Sequence, residues 1–178
     1  MIQEPTHGIG NAAPDPDLWS PAYIALGSNL DSPREQIQRA LQHISQLPST
    51  LLIARSGLYQ SAPLGPVEQP EFINAVAGVL TQLPPIELLR ALKRAEKSLG
   101  RQQPSVRWGP RSIDLDLLVH AQEQIASAEL TIPHPGITER NFVLYPLLDI
   151  APDLHVPGKG VVRTLAACVS VEGLRRIA

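Results

Sequence analysis

The chain is predicted to be α+β, a βαββαβ sandwich in which helices pack on a mainly antiparallel sheet. Three observations carry this reading. Apolar residues alternate or recur at helical spacing in the order strand, helix, strand, strand, helix, strand, which is the split βαβ arrangement. Both helical segments carry their own boundaries, Ser32-Pro33 and Pro84-Pro85 at the starts and Pro48 and Gly100 after the ends. Apolar residues make up 43% of 178, enough for one core.

The elements follow in order. Residues 1–20 hold Pro5, Pro14, Pro16, Gly8 and Gly10 with Asp15 and Asp17, a composition that reads as a flexible tail, leaving one domain over 21–178. Tyr23 to Leu26 is a short strand that turns at Gly27-Ser28-Asn29. Ser32-Pro33-Arg34-Glu35 reads as a capping box, with Ile37, Leu41, Ile44 and Leu47 behind it at helical spacing. Residues 50–60 read as a strand with a bulge at Gly57. Ser61 to Pro70 is a loop, and Phe72 to Thr81 is a second strand carrying Phe72, Asn74, Val76 and Leu80 on one face. The second helix presents Ile86, Leu89, Leu92, Ala95 and Leu99, and Lys93, Arg94, Glu96 and Lys97 read as its solvated side. A loop follows over 101–112. Residues 120–132 are a hairpin ending at Pro133-His134-Pro135, and Thr138 to Leu148 is a helix interrupted by Pro146. Pro157-Gly158-Lys159-Gly160 is a turn, and 161–169 caps the domain.

Composition narrows the function. A net charge of −2 with 4% aromatic residues argues against a nucleic-acid or anionic-membrane surface. The single cysteine, Cys168, forms no internal disulfide and excludes a cysteine zinc site. No apolar run reaches the length of a membrane span, and the acidic, Pro-rich start is unlike a signal or transit peptide. The simplest compartment is the cytoplasm. The oligomeric state is open, with a monomer the simpler case.

The chemistry concentrates in Arg107-Trp108-Gly109-Pro110-Arg111-Ser112-Ile113-Asp114-Leu115-Asp116-Leu117-Leu118. Ile113, Leu115, Leu117 and Val119 share one strand face, so Asp114 and Asp116 share the other, with Cα atoms about 6.5 Å apart. Two carboxylates that close repel unless a cation lies between them. Rigid oxygen ligands of this kind suit Mg²⁺, which fills its shell with phosphate oxygens and water. The adjoining arginines suit phosphate and the indole a flat ring. Asn74, an amide in an otherwise apolar strand, reads either as a sheet-edge residue bonded to a nearby loop or as the reader of a heterocycle beside Phe72.

Four stretches together resemble 6-hydroxymethyl-7,8-dihydropterin pyrophosphokinases: Tyr23 to Leu30, Tyr59 to Asn74, the Arg107–Leu118 run, and Ile132-Pro133-His134-Pro135 with Arg140 to Leu144. The resemblance spans about residues 22–155. It implies a ferredoxin-like fold and an ATP-dependent diphosphokinase, a transferase of folate biosynthesis that moves pyrophosphate from ATP to the dihydropterin hydroxymethyl group and releases AMP. By the same resemblance Asp114 and Asp116 hold two Mg²⁺ ions. Ser61, Ala62, Leu64, Phe72, Asn74, Trp108 and Phe142 take the pterin. Lys93, Arg101, Trp108, Arg111, Leu117, His134 and Arg140 take ATP, and Glu96 supports them. Arg101, Arg111, Asp114 and Asp116 form the catalytic set, with Arg101 expected to be carried in when the loop closes. Gln103, Pro135 and Lys93 stand where many members have arginine, an aromatic residue and glutamine. The rival readings are weaker. Nucleotidyltransferases place Gly-Ser and Asp-x-Asp close together, whereas Ser28 and Asp114 are far apart, and an RNA-binding sheet wants aromatic, basic strands.

Overall fold

The structure, a computed structural model, describes residues 18–66, 68–101 and 109–177. The elements in chain order are β1 (Ser20–Ser28), α1 (Pro33–Ser45), β2 (Thr50–Arg55), β3 (Tyr59–Ser61), β4 (Phe72–Thr81), α2 (Pro85–Ser98), β5 (Asp114–His120), β6 (Ile125–Ala126) and β7 (Thr131–Ile132). Then come α3 (Asn141–Ile150), β8 (His155–Val156), β9 (Gly160–Val161), α4 (Val162–Ala167) and β10 (Leu174–Arg176). The main sheet runs β10-β3-β4-β1-β5, with β2 also on β4, and every pairing is antiparallel. With β2 and β3 taken as one interrupted strand, this is the ferredoxin-like βαββαβ order.

Strand alternation builds the core on two sides of this sheet. Ala22, Ile24 and Leu26 of β1, Ile73, Ala75, Ala77 and Val79 of β4, and Leu115 and Leu117 of β5 meet Ile37, Ala40 and Ile44 of α1 and Leu88, Leu92 and Ala95 of α2. The opposite side buries Val76 and Leu118 against Val143 and Leu147 of α3. Helices therefore cover both faces of the sheet. Leu118 explains it: it stands at the next outward position after Asp114 and Asp116, so the acidic face of β5 turns apolar there and needs a cover.

Other local expectations shift for identifiable reasons. The capping box is not formed. Ser32 adopts φ 62°, ψ 69° and makes no side-chain cap bond. Its backbone carbonyl accepts from Glu35 and Gln36 N–H instead, at 2.9 and 3.1 Å. The strand expected over 50–60 divides into β2 and β3, with Gly57 in the gap donating its N–H to Asp149. The register shift lies between Leu52 and Ala54. On α2 the buried stripe runs through Leu88, Ala91, Leu92, Ala95 and Glu96, while Ile86 and Leu89 are only half-buried. The third helix starts at Asn141 and continues through Pro146. Ser20, assigned to the tail, is the first residue of β1 and pairs with Thr81; residues 1–17 of that tail lie outside the described residues. β10 was not expected at all.

Candidate active site

β5 lies beside β1 with Gly27 opposite Asp114 and Leu26 opposite Leu115. Leu115 and Leu117 point into the core, so Asp114 and Asp116 emerge on the other side. α2 ends next to them. Gly100, at φ +89°, reverses the chain in a Schellman turn, with Arg101 N–H donating to Glu96 O (3.0 Å) and Gly100 N–H to Lys97 O (3.1 Å). This return sets the Arg101 guanidinium between two carboxylates: Nη1 is 2.5 Å from Glu96 Oε1 and 2.5 Å from Asp114 Oδ1. Arg111 Nη1 donates to the other oxygen, Asp114 Oδ2, at 2.5 Å. Arg101 is thus already at the site and does not have to be carried in.

Glu96 joins helix to strand. It is 3% exposed, unlike the solvated residue expected, and its Oε1 accepts from Leu115 N–H at 2.6 Å and from Lys93 Nζ at 2.8 Å. Lys93 Nζ also donates to Leu115 O at 2.9 Å and lies 3.5 Å from Asp116 Oδ1. Burial pushes the Glu96 carboxyl up, outweighing the pull of Lys93 and Arg101. Burial would raise Asp114 too, but Arg101, Arg111 and Lys93 together win and hold it below its ordinary value.

β1 runs on through Gly27 and Ser28, where a turn was expected, and Ser28 and Asn29 at its end tie the surrounding loops together. Asn29 Oδ1 accepts from Arg111 N–H at 2.8 Å, and Asn29 N–H donates to Arg111 O at 3.1 Å. Asn29 Nδ2 donates to Gln69 Oε1 and Pro70 O, each at 3.0 Å. Ser28 Oγ donates to Ser112 O at 2.6 Å. One amide thus couples the arginine loop to the loop preceding β4.

Two clefts meet at Asp116 and His134. The first is a narrow slot of about 90 Å³ lined by Ser61, Ala62, Leu64, Phe72, Asn74 and Phe142, with Arg111, Asp114, Asp116, His134 and Arg140 at its inner end. Asn74 sits on the central strand β4, not at a sheet edge. Its Nδ2 donates to Ser61 Oγ at 3.0 Å. Gly27 lies opposite it, and a Cβ there would stand 3.5 Å from Asn74 Oδ1. That is an ordinary contact, whereas Gly136 makes room for Arg140, since a Cβ would fall 2.5 Å from Arg140 Nε. The Arg140 guanidinium lies 5.9 Å from the Phe142 ring centroid.

The second cleft, about 610 Å³, is within the size range of small-molecule sites. Leu89, Leu117 and Leu130 give it apolar walls, Lys93, Asp116 and His134 its inner end, and Arg90, Arg94 and Lys97 a basic flank. His134 Nδ1 accepts from Gly136 N–H at 3.1 Å, so the neutral ring carries its proton on Nε2, which faces Asp116 Oδ2 at 3.8 Å. Burial lowers this imidazole's pKa, against the pull of Asp116.

The sequence-derived pterin residues Ser61, Ala62, Leu64, Phe72, Asn74 and Phe142 therefore share one cleft. Of the ATP set, Lys93, Leu117 and His134 line the other, Arg111 and Arg140 line the first, and Arg101 bridges at Asp114. Trp108, together with Gln103, lies outside the described residues. Asn29 and Gln69 were missed, as was the depth of Glu96; the Asn directly after Gly27-Ser28 was the available signal for the first.

Among the described residues no group of three or more His, Cys, Asp and Glu is placed to hold a metal ion unaided. The donors at the site are two carboxylates, Asp114 and Asp116, on adjacent outward positions of a rigid strand. That set fits Mg²⁺, which takes one or two carboxylates and completes its shell with phosphate oxygens and water.

An α+β domain whose two clefts share the Asp116 carboxylate, two residues from an aspartate paired with two arginines, has the make-up of a phosphoryl-transferring enzyme. Residues 23–152 match the model of the 7,8-dihydro-6-hydroxymethylpterin-pyrophosphokinase family, and the chain belongs to that family. It is 49% identical over 156 residues to the 2-amino-4-hydroxy-6-hydroxymethyldihydropteridine pyrophosphokinase of Pseudomonas aeruginosa, covering 87% of this chain and 95% of that one. It is 48% identical over 144 residues to the Haemophilus influenzae protein of the same name, covering 81% and 89%. Among solved structures, a Plasmodium falciparum HPPK-DHPS chain superposes with a TM-score of 0.71 at 16% identity, over 90% of this chain. The match spans about half, 49%, of that longer chain and speaks for the fold alone.

Proposed function

We propose that the two clefts are the active site for the family's reaction. The chain is a diphosphokinase: it transfers the terminal pyrophosphoryl unit of ATP to the hydroxymethyl oxygen of 6-hydroxymethyl-7,8-dihydropterin and releases AMP, a step of folate biosynthesis. The observation that carries the site assignment is that Asp116 and His134 line both clefts. A nucleotide in one and a flat ring in the other would bring their reacting ends to the same carboxylate.

In this reading the pterin enters the slot between Phe72 and Phe142, with Asn74 and the backbone of Ser61, Ala62 and Leu64 reading its edge. ATP lies in the larger cleft, its base against Leu117 and its phosphates toward Lys93, His134, Arg101, Arg111 and Arg140. Asp114 and Asp116 would hold Mg²⁺, two ions in all. Bound there, the metal neutralises charge on the polyphosphate and lowers the pKa of a coordinated hydroxyl. The hydroxymethyl oxygen gives up its proton to solvent and forms a bond to the β-phosphorus, the bond from that phosphorus to the bridging α,β-oxygen breaks, and AMP leaves with the electron pair. Arg101 and Arg111 stabilise charge on the transferring group and on AMP. Positioning and charge carry this chemistry, and no covalent nucleophile is required. Trp108 belongs at the junction of the two substrates. The catalytic unit is read as 21–178, and the cytoplasm as its compartment. The described residues contain no helix long and apolar enough to cross a membrane.

The test is product analysis with ATP and Mg²⁺, with and without the dihydropterin. AMP and a pyrophosphorylated pterin should form in equal amounts, and only when both substrates are present. ADP as the product, or AMP formed without pterin, would contradict the reading.

A further inference from the structure

The acidic pair is not waiting bare for a cation. Three carboxylates, Glu96, Asp114 and Asp116, face three cations, Lys93, Arg101 and Arg111. The arginines occupy both oxygens of Asp114, at 2.5 Å each. The near cation of Asp116 is Lys93, 3.5 Å from Oδ1, with the His134 ring on the other oxygen at 3.8 Å. The Lys93 ammonium is also 3.9 Å from Asp114 Oδ1, so it lies within reach of both aspartates at once. It is anchored there by bonds to Glu96 Oε1 at 2.8 Å and Leu115 O at 2.9 Å. Leu115 is the residue between the aspartates, and its N–H is held by the same Glu96 oxygen at 2.6 Å. A lysine on a helix's outer side would ordinarily wave in solvent. This one is fixed by Leu115 O to the strand that carries the pair and by Glu96 on its own helix.

We infer that Lys93 is a resident counter-charge of the metal–nucleotide site, which compensates Asp116 and Asp114 in the free enzyme and disfavours a divalent ion there until one arrives with the nucleotide's phosphates. The inference rests on the pyrophosphokinase reading only in taking Asp114 and Asp116 as the metal ligands. The physical argument is direct. A unit positive charge within 4 Å of both carboxylates repels an incoming cation, and it also satisfies the repulsion between them that a metal would otherwise relieve. ATP brings four negative charges of its own. Once its phosphates lie beside Lys93, the ammonium turns from a competitor of the metal into a partner of the phosphates, so the same residue opposes free metal and favours the metal–nucleotide complex. Metal and nucleotide then bind with positive coupling.

The experiment measures Mn²⁺ binding to the full chain without nucleotide or pterin, by the electron paramagnetic resonance signal of unbound Mn²⁺. Lys93→Gln keeps a donor near Glu96 and Leu115 O but removes the charge. It should bind Mn²⁺ at least about tenfold more tightly than wild type. Lys93→Arg keeps the charge and should bind it as weakly as wild type. Lys97→Gln makes the same charge change one turn along α2, on an exposed side chain, and should leave Mn²⁺ affinity within about twofold of wild type, since an exposed charge is screened by salt. Thermal melting of each variant confirms folding before titration. Unchanged or weaker Mn²⁺ binding by Lys93→Gln overturns the inference, and so does equal tightening in Lys93→Gln and Lys93→Arg. Loss of the pyrophosphokinase reading itself would show up differently, as absence of AMP from wild-type enzyme given both substrates.

Discussion

Asp114→Asn and Asp116→Asn should each lower AMP production by on the order of 10³-fold, through loss of a metal ligand at the point where both clefts meet. Their effects on stability should differ. Asp114 accepts from Arg101 and Arg111, one on each oxygen, at 2.5 Å. Asparagine offers one acceptor and no charge there, so Arg111 loses its carboxylate partner, Arg101 keeps only Glu96, and the melting temperature should fall. Relief of carboxylate repulsion, which the bare sequence pattern favours, is outweighed because the arginines have already cancelled it. Asp116 is more exposed, and its near cation Lys93 is anchored elsewhere; Asp116→Asn should leave the melting temperature nearly unchanged. Melting curves and initial rates on the two purified variants separate the cases. Near wild-type turnover by either variant in Mg²⁺ removes that residue from the metal site.

The second large effect centres on Glu96. Its carboxylate is buried and holds Arg101, Lys93 and Leu115 N–H together. Glu96→Ala leaves Leu115 N–H without its acceptor and takes one carboxylate each from Arg101 and Lys93, which keep Asp114 and Leu115 O, and removing one partner of a buried ion pair costs about 3 kcal/mol. For a chain of this size that is roughly a 6–12 °C loss in melting temperature. Glu96→Gln retains an acceptor for Leu115 N–H and should lose less. Arg101→Ala should lower kcat by about 10²-fold, as removal of one preorganised charge donor does. A double-mutant cycle then checks the linkage: the stability cost of Glu96→Ala should shrink by about 1 kcal/mol or more when Arg101 is already alanine. Additive costs would mean that the two side chains do not act as a unit.

What could be read from the sequence was what depends on neighbours in the chain. The alternation of Ile113, Leu115 and Leu117 put Asp114 and Asp116 on the strand's other side; Val119, expected on the same face, lies with Leu118 in the opposite part of the core because the register shifts opposite Tyr23 and Ile24. Gly100 marked the end of α2, and Phe72 to Thr81 was bounded as found. The features that escaped depend on distant partners. Leu174-Arg175-Arg176 has no strand pattern of its own and is a strand because Ser61, Gln60 and Tyr59 pair with it. Glu96 sits among Lys93, Arg94 and Lys97 and looks solvated; it is buried because Gly100 folds Arg101 back over it and Leu115 passes beneath. Ser32 has the chemistry of a cap but not the backbone, since Asp31 and Ser32 both take positive φ, 54° and 62°. Asn29 looks like an ordinary turn residue until Arg111 and Pro70, far away in sequence, are brought to its amide. The site was therefore legible as a set of residue types, while the network that orients them was not.

The division of labour between the clefts is tested most directly by ligand affinities of two variants, each measured by equilibrium dialysis. Asn74→Ala removes the buried amide of the slot, and Leu89→Trp fills the apolar wall of the larger cleft. With a nonhydrolysable ATP analogue saturating, Asn74→Ala should bind the dihydropterin at least about tenfold more weakly, the cost of one lost buried hydrogen-bonding group, while its affinity for the analogue alone stays at the wild-type value. Leu89→Trp should weaken the analogue and spare the pterin. If both variants lose the same ligand, or if Asn74→Ala loses the nucleotide and keeps the pterin, the assignment of the two clefts is wrong.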